Sequence, residues 1–316
     1  MTKTIHWFIA ATLTVAISAP AHAGWFSWLF KDTYTETRYP IVLAHGLFGF
    51  DSIAGIEYWY GIPEELRRSG ADVYVTQFSA ANSTEVRGEQ LARQVEQILA
   101  ASGAQKVNLI GHSHGGPTIR YVASVYPQYV ASASSVAGVN WGAKLADVLQ
   151  GVSENISLAE GTIQLLGNTL ANVIDWASGG GYEQDIMASL GALTTEQTLA
   201  FNALYPEGMP SHYCGEGAEL ASNGVRYYSW SGAAPLTNPL DISDPFMGLL
   251  SLVFAGEKND GLVSSCSSHL GKTLRDNYRM NHLDEVNQFI GIHSLLDTDP
   301  KSVFRQQANR LKNKGL

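Results

Sequence analysis

The chain has 316 residues, a formal net charge of −9 and 45% hydrophobic residues, which suits one folded α/β domain of ordinary size. An acidic chain of this kind disfavours nucleic acid and anionic membrane surfaces as partners. The sequence contains only two cysteines, Cys214 and Cys266.

The N-terminus has the pattern of a secretory signal peptide. Lys3 starts a short basic region, an apolar run extends from Trp7 to Ile17, and Ala21-His22-Ala23 is a small-residue cleavage site. We therefore predict a signal peptide over residues 1–23 and a secreted, extracellular chain that begins at Gly24. The apolar run is too short to span a bilayer. Because an exported chain meets an oxidising environment, we expect Cys214 and Cys266 to form a disulfide.

An apolar strand near residues 41–45 leads into a glycine-containing loop, His45-Gly46-Leu47-Phe48-Gly49. Glycines allow such a loop to turn its backbone amides toward a carbonyl oxygen. We interpret His45 itself as a packed or hydrogen-bonded histidine with no role in proton transfer. Further strands are predicted near residues 72–78, 106–111, 131–137, 225–230 and 250–254, and helices over 62–69, 84–101, 116–126 and 302–312.

The stretch Gly111-His112-Ser113-His114-Gly115 has the G-x-S-x-G form of a nucleophile elbow. Chance matches to this pattern are common in a glycine-rich chain, so its context matters. Here an apolar strand precedes it, and a helix start with Pro117 in the first turn follows it. Side chains at both ends of so sharp a turn would clash, which explains the two glycines. We predict Ser113 as the nucleophile of an α/β-hydrolase fold, a mostly parallel sheet flanked by helices. The backbone N–H groups of Leu47 and His114 are the expected oxyanion hole.

Roughly residues 143–200 interrupt the strand rhythm with helical sequence only. Within this insertion, apolar residues recur at three-four spacing until a triple glycine ends the pattern: Ile156, Ala159, Ile163, Leu166, Leu170 and Val173. The pattern fits either a helix that covers the core or a mobile lid.

Chain order in this fold places the acid and then the base after the nucleophile. Asp260 follows the predicted strand 250–254, and His282 lies in a polar loop further on. We predict that His282 takes the Ser113 proton and that Asp260 orients His282. His269 and His293 are the other histidines in this region, and we interpret them as a structural and a surface residue.

These segments resemble the secreted triacylglycerol lipases of the Pseudomonas type. The resemblance is specific in the segments 39–46, 107–116, 259–263 and 277–288, and it extends over nearly the whole chain after about Tyr34. It implies hydrolysis of long-chain acylglycerol esters at oil–water interfaces, with the 143–200 insertion as a helical lid. The alternative is a secreted carboxylesterase acting on soluble short-chain esters. The resemblance also implies a dedicated lipase-specific foldase chaperone and a type II secretion route.

The resemblance further implies one structural Ca²⁺. Such lipases hold the ion with two Asp carboxylates, a Gln carbonyl and a main-chain carbonyl, all hard oxygen ligands. In this sequence the ligands map to Asp241, Asp284, Gln288 and the backbone of Ile292. Asp284 and Gln288 are four residues apart, so on a helix that begins near His282 their oxygens face the same way. A solvated helix face is the alternative explanation of that spacing.

Overall fold

A parallel β-sheet organises the part of the chain that a computed structural model describes, namely residues 32–47, 52–53, 56–151 and 182–316. Residues Asp32–Leu316 make one compact unit. The six strands of this sheet are β1 (Ile41–Ala44), β4 (Val73–Val75), β5 (Val107–His112), β6 (Val130–Val136), β7 (Arg226–Gly232) and β8 (Lys272–Tyr278). They lie in the order β4-β1-β5-β6-β7-β8, and every neighbouring pair is parallel. A separate antiparallel pair contains β2 (Ser52–Ile53) and β3 (Ile56–Glu57).

The helices follow the strands as expected for a parallel sheet. They are α1 (Ile62–Arg68), α2 (Thr84–Ser102), α3 (Gly115–Val125), α4 (Lys144–Leu149), α5 (Ile186–Ala192), α6 (Thr195–Leu204), α7 (Asp244–Leu250), α8 (Gln288–Gly291) and α9 (Pro300–Asn313). Ser83 caps α2 by accepting the N–H of Val86, and Asp299 caps α9 just before Pro300. Among the described residues, no helix is both long and apolar enough to cross a membrane.

Both faces of the sheet are covered by helices. On one face, Val42 and Leu109 pack with Leu91 of α2 and Ile119 of α3. On the other face, neighbouring strand residues such as Leu43 and Ile110 pack with α1 and α9. Burial on both faces explains the short apolar runs in the sequences of β1 and β5. The fold class predicted from the sequence, an α/β-hydrolase sheet flanked by helices, is therefore confirmed.

The sequence-based assignments were wrong at two places on this sheet. The apolar run 250–254, predicted as a strand, closes α7 and continues as a 3-10 helix over Ser251–Phe254. The last strand, β8, was not predicted because its sequence, Lys-Thr-Leu-Arg-Asp-Asn-Tyr, has no apolar run and is half-buried at the sheet edge.

In the predicted insertion over residues 143–200, the regular elements that the structure describes are all helices, namely α4, α5 and most of α6. The apolar stripe Ile156–Val173, predicted to be the inner face of a lid, lies outside the described residues, as does the predicted signal peptide over residues 1–23.

Candidate active site

Ser113 occupies a strained turn between β5 and α3. Its φ angle of 58° lies in the left-handed region, where non-glycine residues are uncommon. A Cβ on Gly111 would lie 2.2 Å from the carbonyl oxygen of Gly115, and a Cβ on Gly115 would lie 2.4 Å from that of Ala44. Both glycines are therefore required by the close approach of backbones, as the sequence indicated. The turn has the geometry of a nucleophile elbow.

Asp260 and His282 form a buried hydrogen-bonded pair. The His282 Nδ1 lies 2.8 Å from Asp260 Oδ2, and the exposed fractions are 3% for His282 and 0% for Asp260. The other carboxylate oxygen, Oδ1, accepts the N–H groups of Leu262 and Val263 at 2.8 and 2.7 Å. A carboxylate fixed by two backbone donors can present its second oxygen to an imidazole without rotating. The pair has the geometry of an oriented general base.

The elbow residue His112 brings this pair next to Ser113. The His112 Nε2 lies 3.0 Å from the carbonyl oxygen of His282, and the centroids of the two imidazole rings are 4.4 Å apart. Because His112 directly precedes Ser113, the base and the predicted nucleophile lie at the same edge of the sheet.

The loop after β1 packs directly on the elbow. A Cβ on Gly46 would lie 2.7 Å from Ser113 Cβ, so the loop backbone touches the predicted nucleophile. Leu47 directly follows Gly46 in this loop and is half-buried. Within the described residues, no hydrogen bond uses the backbone N–H of Leu47 or of His114. Both donors predicted for the oxyanion hole thus remain available on the two sides of Ser113.

A buried arginine that the sequence did not single out holds this loop. The two terminal nitrogens of Arg87 donate to the carbonyls of Ser79 and Ala80, and to those of His45 and Gly46 at 2.8 and 3.0 Å. The guanidinium is completely buried, and desolvation lowers the pKa of Arg87 to about 9. Four carbonyl dipoles compensate its charge and fix the backbone immediately before Leu47.

The two other histidines near the elbow are buried and neutral. His45 stacks on Phe78 with ring centroids 4.1 Å apart, and burial lowers its pKa to about 3, as expected for a packed histidine. The His114 side chain lies between Thr84 Oγ1 at 2.9 Å and Ser189 Oγ of α5 at 3.3 Å. Burial likewise lowers the pKa of His114 well below its usual range. His114 therefore connects the elbow to helix α5 of the insertion.

A second carboxyl group, that of Glu285, lies beside the Asp260–His282 pair and was not predicted. Its Oε1 accepts the N–H of Gly232 at 2.7 Å, and the side chain is almost completely buried. Burial, together with the negative charge of Asp260, raises the pKa of Glu285 well above its usual range. The raised pKa favours the neutral form of Glu285 beside Asp260.

Asp241 and Asp284, two of the four predicted calcium ligands, are buried together next to the base. Asn281 joins them, since its Nδ2 lies 3.4 Å from Asp241 Oδ2 and its N–H donates to Asp284 Oδ2 at 3.2 Å. Asp284 Oδ1 is buried and has no hydrogen-bond partner among the described residues. Burial, with the charge of Asp241 contributing, raises the pKa of Asp284 to about 8. The site therefore brings together two buried carboxyl groups and an oxygen that accepts no hydrogen bond from the described residues.

The expected helix carrying Asp284 and Gln288 is wrong. Asp284–Val286 is a short 3-10 turn, Asn287 has a φ of 60°, and Gln288 then begins α8. The left-handed residue breaks the helical spacing from which a common face was inferred. Gln288 and Ile292 are half-buried, and the hydrogen bonds of the described residues include none from the Gln288 side chain to the two carboxylates.

The predicted disulfide between Cys214 and Cys266 is present. It joins the segment before β7 to the loop that carries Asp260. The neighbouring His269 contacts Gly215 O and Asp276 Oδ2, which agrees with the structural role inferred for it.

Comparison with known sequences gives relatives along almost the whole chain. The profile of the alpha/beta hydrolase fold family matches residues 39–169. A triacylglycerol lipase from Vibrio cholerae serotype O1 is 61% identical over 289 residues, which cover 91% of this chain and 92% of that protein. A triacylglycerol lipase from Pseudomonas fragi is 40% identical over 294 residues, which cover 90% of this chain and all of that protein.

Solved structures with the same fold are more distant in sequence. A lipase of Bacillus licheniformis in its mature form superposes with a TM-score of 0.60 at 18% identity, covering 87% of this chain and 92% of that one. A Staphylococcus hyicus lipase gives a TM-score of 0.57 at 18% identity, covering 87% and 96% of the two chains. At this identity the likeness concerns the fold.

Proposed function

The chain belongs to the bacterial triacylglycerol lipases of the α/β-hydrolase fold, and from that premise we propose that it hydrolyses long-chain acylglycerols through an acyl-enzyme on Ser113. The observation that carries this proposal is the buried Asp260–His282 hydrogen bond of 2.8 Å beside a strained Ser113. In this assignment Ser113 is the nucleophile, His282 the general base and acid, and Asp260 the residue that orients the base.

The protonation of His282 follows from its contact with Asp260. A carboxylate only accepts hydrogen bonds, so the proton of the neutral imidazole is on Nδ1 and Nε2 is free to accept the Ser113 hydroxyl proton. As that proton moves, the serine oxygen attacks the ester carbonyl. His282 then returns the proton to the departing alcohol oxygen as the bond between carbonyl carbon and alcohol breaks. Water repeats the sequence on the acyl-enzyme and releases the fatty acid.

The negative charge on the carbonyl oxygen is stabilised by the backbone N–H groups of Leu47 and His114. Two contacts support this role. Gly46 packs against Ser113, and Arg87 fixes the carbonyls of His45 and Gly46, so the Leu47 N–H is held on a rigid backbone beside the nucleophile. Donors that are fixed in advance stabilise a developing charge without a cost of reorganisation.

A structural Ca²⁺ fits the buried carboxylates of Asp241 and Asp284. Two observations support an oxygen-rich cation site, the unused Asp284 Oδ1 and the raised pKa of this carboxyl. A bound cation would stabilise the charged form of the buried carboxyl groups. Asp241 and Asp284 would supply carboxylate oxygens, with the Gln288 side chain and the Ile292 carbonyl as the remaining ligands. Bound there, the ion would brace the loop that presents His282, and the chemistry stays with the chain's own residues.

Action at an oil–water interface rests on the predicted lid. The described helices α4, α5 and α6 flank the apolar stripe Ile156–Val173, and Ser189 of α5 contacts the side chain of His114 at the elbow. If the predicted stripe is the inner face of a lid, its transfer to an oil surface would expose the site. Secretion through a signal peptide over residues 1–23, a lipase-specific foldase and a type II route belong to the same proposal.

A phosphonate probe and emulsion kinetics test the assignment. We expect an alkyl p-nitrophenyl phosphonate to label Ser113 with release of one nitrophenol per chain, and Ser113→Ala to lose both labelling and ester hydrolysis. Ser124→Ala is the matched control, because Ser124 lies in the same elbow helix but bonds Glu207 at 2.6 Å. Hydrolysis by a folded Ser113→Ala protein at the original rate would exclude the mechanism.

The same preparation distinguishes the lipase from an esterase. The rate on tributyrin should rise steeply once the substrate passes its solubility limit. A smooth hyperbolic rate through that limit would favour a carboxylesterase acting on soluble short-chain esters.

A further inference from the structure

Three segments of the candidate site are connected by a buried chain of hydrogen bonds. The N–H of Gly46 donates to the hydroxyl of Tyr58 at 3.0 Å, and that hydroxyl lies 2.5 Å from His112 Nδ1. The opposite nitrogen, His112 Nε2, lies 3.0 Å from the carbonyl oxygen of His282. Tyr58, His112 and His282 are exposed by 5% or less. We call Tyr58 and His112 the relay.

The direction of each hydrogen bond in the relay is determined by its ends. The His282 carbonyl can only accept, so His112 Nε2 carries the proton. Burial lowers the pKa of His112 well below its usual range, so the ring is neutral and its Nδ1 has no proton. Nδ1 must therefore accept the Tyr58 hydroxyl proton, and the phenolic oxygen accepts the Gly46 N–H. Each of these three contacts then joins one donor to one acceptor, whereas the reverse arrangement would place two acceptors, His112 Nε2 and the His282 carbonyl oxygen, opposite each other.

The ends of the relay are adjacent to the groups that act in catalysis. Gly46 precedes Leu47, His112 precedes Ser113, and the accepting carbonyl belongs to His282 itself. Contact at the loop is direct, since a Cβ on Gly46 would lie 2.8 Å from the Tyr58 oxygen. A shift of either side chain would therefore be transmitted to the spacing between nucleophile, base and oxyanion donor.

We propose that Tyr58 and His112 are positioning residues, which hold the Leu47 oxyanion loop and His282 in register with Ser113 through one buried hydrogen-bonded chain. This inference rests on the proposed function, because it assigns roles relative to the same three groups. Neither side chain exchanges a proton with the substrate. Their contribution appears in the turnover step, where misplacement of about 1 Å can cost up to about a hundredfold in rate.

Substitutions at both positions test the relay. Tyr58→Phe removes the hydroxyl and leaves the Gly46 N–H and His112 Nδ1 without their partner, while the ring still fills its place. We expect kcat on a soluble butyrate ester to fall by about tenfold to a hundredfold, with KM changed by less than about twofold. Tyr121→Phe is the matched control, because the Tyr121 hydroxyl donates to Glu89 Oε1 at 2.7 Å and does not take part in the relay.

His112 provides the second arm. His112→Gln keeps an N–H that can reach the His282 carbonyl, so it should retain more kcat than His112→Leu. Because both residues act through one chain, Tyr58→Phe combined with His112→Leu should lower kcat by less than the product of the two single effects. Effects that multiply fully, or a Tyr58→Phe protein with the kinetics of Tyr121→Phe, would overturn the relay.

Phosphonate titration of Ser113 and thermal melting accompany every variant, so that kcat is expressed per active site in folded protein. Failure of the unmodified protein to react with the phosphonate would contradict the proposed function. Normal labelling with an unaffected Tyr58→Phe variant would contradict only the relay.

Discussion

Asp260→Asn changes one atom of the acid and should disable the base. In the structure Asp260 Oδ1 accepts two backbone N–H groups, from Leu262 and Val263, while Oδ2 faces His282 Nδ1. The asparagine oxygen must occupy the Oδ1 position, because an amide NH₂ there would face two donors. Its NH₂ group therefore points at His282 Nδ1 and forces that nitrogen to accept. The imidazole proton moves to Nε2, and the ring can no longer accept the Ser113 proton.

The expected loss is that of a triad with the wrong histidine tautomer, about 10⁴-fold in kcat. At about 1.36 kcal/mol for each factor of ten, this corresponds to about 5.4 kcal/mol of transition-state stabilisation. The shape of the side chain and both backbone hydrogen bonds are retained, so the melting temperature should change little.

The assay is kcat on a soluble p-nitrophenyl ester, measured with the melting temperature of each variant. Asp276→Asn is the matched control, since Asp276 also faces a histidine nitrogen, His269 Nε2 at 3.1 Å, but its side chain is 42% exposed. This control should keep full activity. A folded Asp260→Asn protein that retains more than about a tenth of kcat would refute the assignment of Asp260 as the residue that orients His282.

Three further predictions concern stability. A chelator should lower the melting temperature and the activity together, and Ca²⁺ should restore both, while Asp284→Asn should behave like the chelated protein. The calcium site would be contradicted if metal analysis found no calcium and chelation changed neither property. Replacing Cys214 and Cys266 by Ser should lower the free energy of unfolding by about 4 kcal/mol, because the disulfide closes a loop with a separation of 52 residues. Denaturant titration measures this free energy, and a loss below about 1 kcal/mol would contradict the prediction. Burial lowers the pKa of His45 to about 3, so below its ordinary value of 6.5 only the unfolded chain takes up this proton, and stability is lost as the pH falls from 6.5 toward 3. His45→Gln should reduce the slope of unfolding free energy against pH in that window by up to about 1.4 kcal/mol per pH unit, and an equal slope in both proteins would exclude this origin.

The sequence predicted β1 and β5 well because burial on both faces of these strands leaves short apolar runs. It failed where the pattern carries less information. A five-residue apolar run such as Leu250–Phe254 fits a strand and a buried helical turn equally well. The polar edge strand Lys272–Tyr278 has one face toward solvent and gives no run at all.

The parts of the site that were missed depend on contacts between distant segments. Tyr58 and His112 are 54 residues apart, and His112 and His282 are 170 residues apart. Neither Arg87 nor Glu285 belongs to a motif that marks it as buried. Their roles arise from tertiary packing, in which backbone carbonyls surround one charge and a neighbouring carboxylate keeps the other group neutral. A single sequence contains no pattern that brings these partners together.

Asp260 was predicted as the partner of His282 from an element that was assigned incorrectly, and the structure nevertheless places the two side chains in contact. It was expected after a strand, but the preceding residues are helical, so no strand end presents it. Its position is instead determined by its own loop. Asn259 Oδ1 accepts the Gly261 N–H, Gly261 has a φ of 104°, and the Asp260 N–H donates to the Val263 carbonyl. Asn-Asp-Gly is a turn-forming sequence by the chemistry of its side chains. The loop therefore directs the Asp260 carboxylate toward His282 whatever element precedes it, and the order of acid and base along the chain remains informative when the strand assignment is wrong.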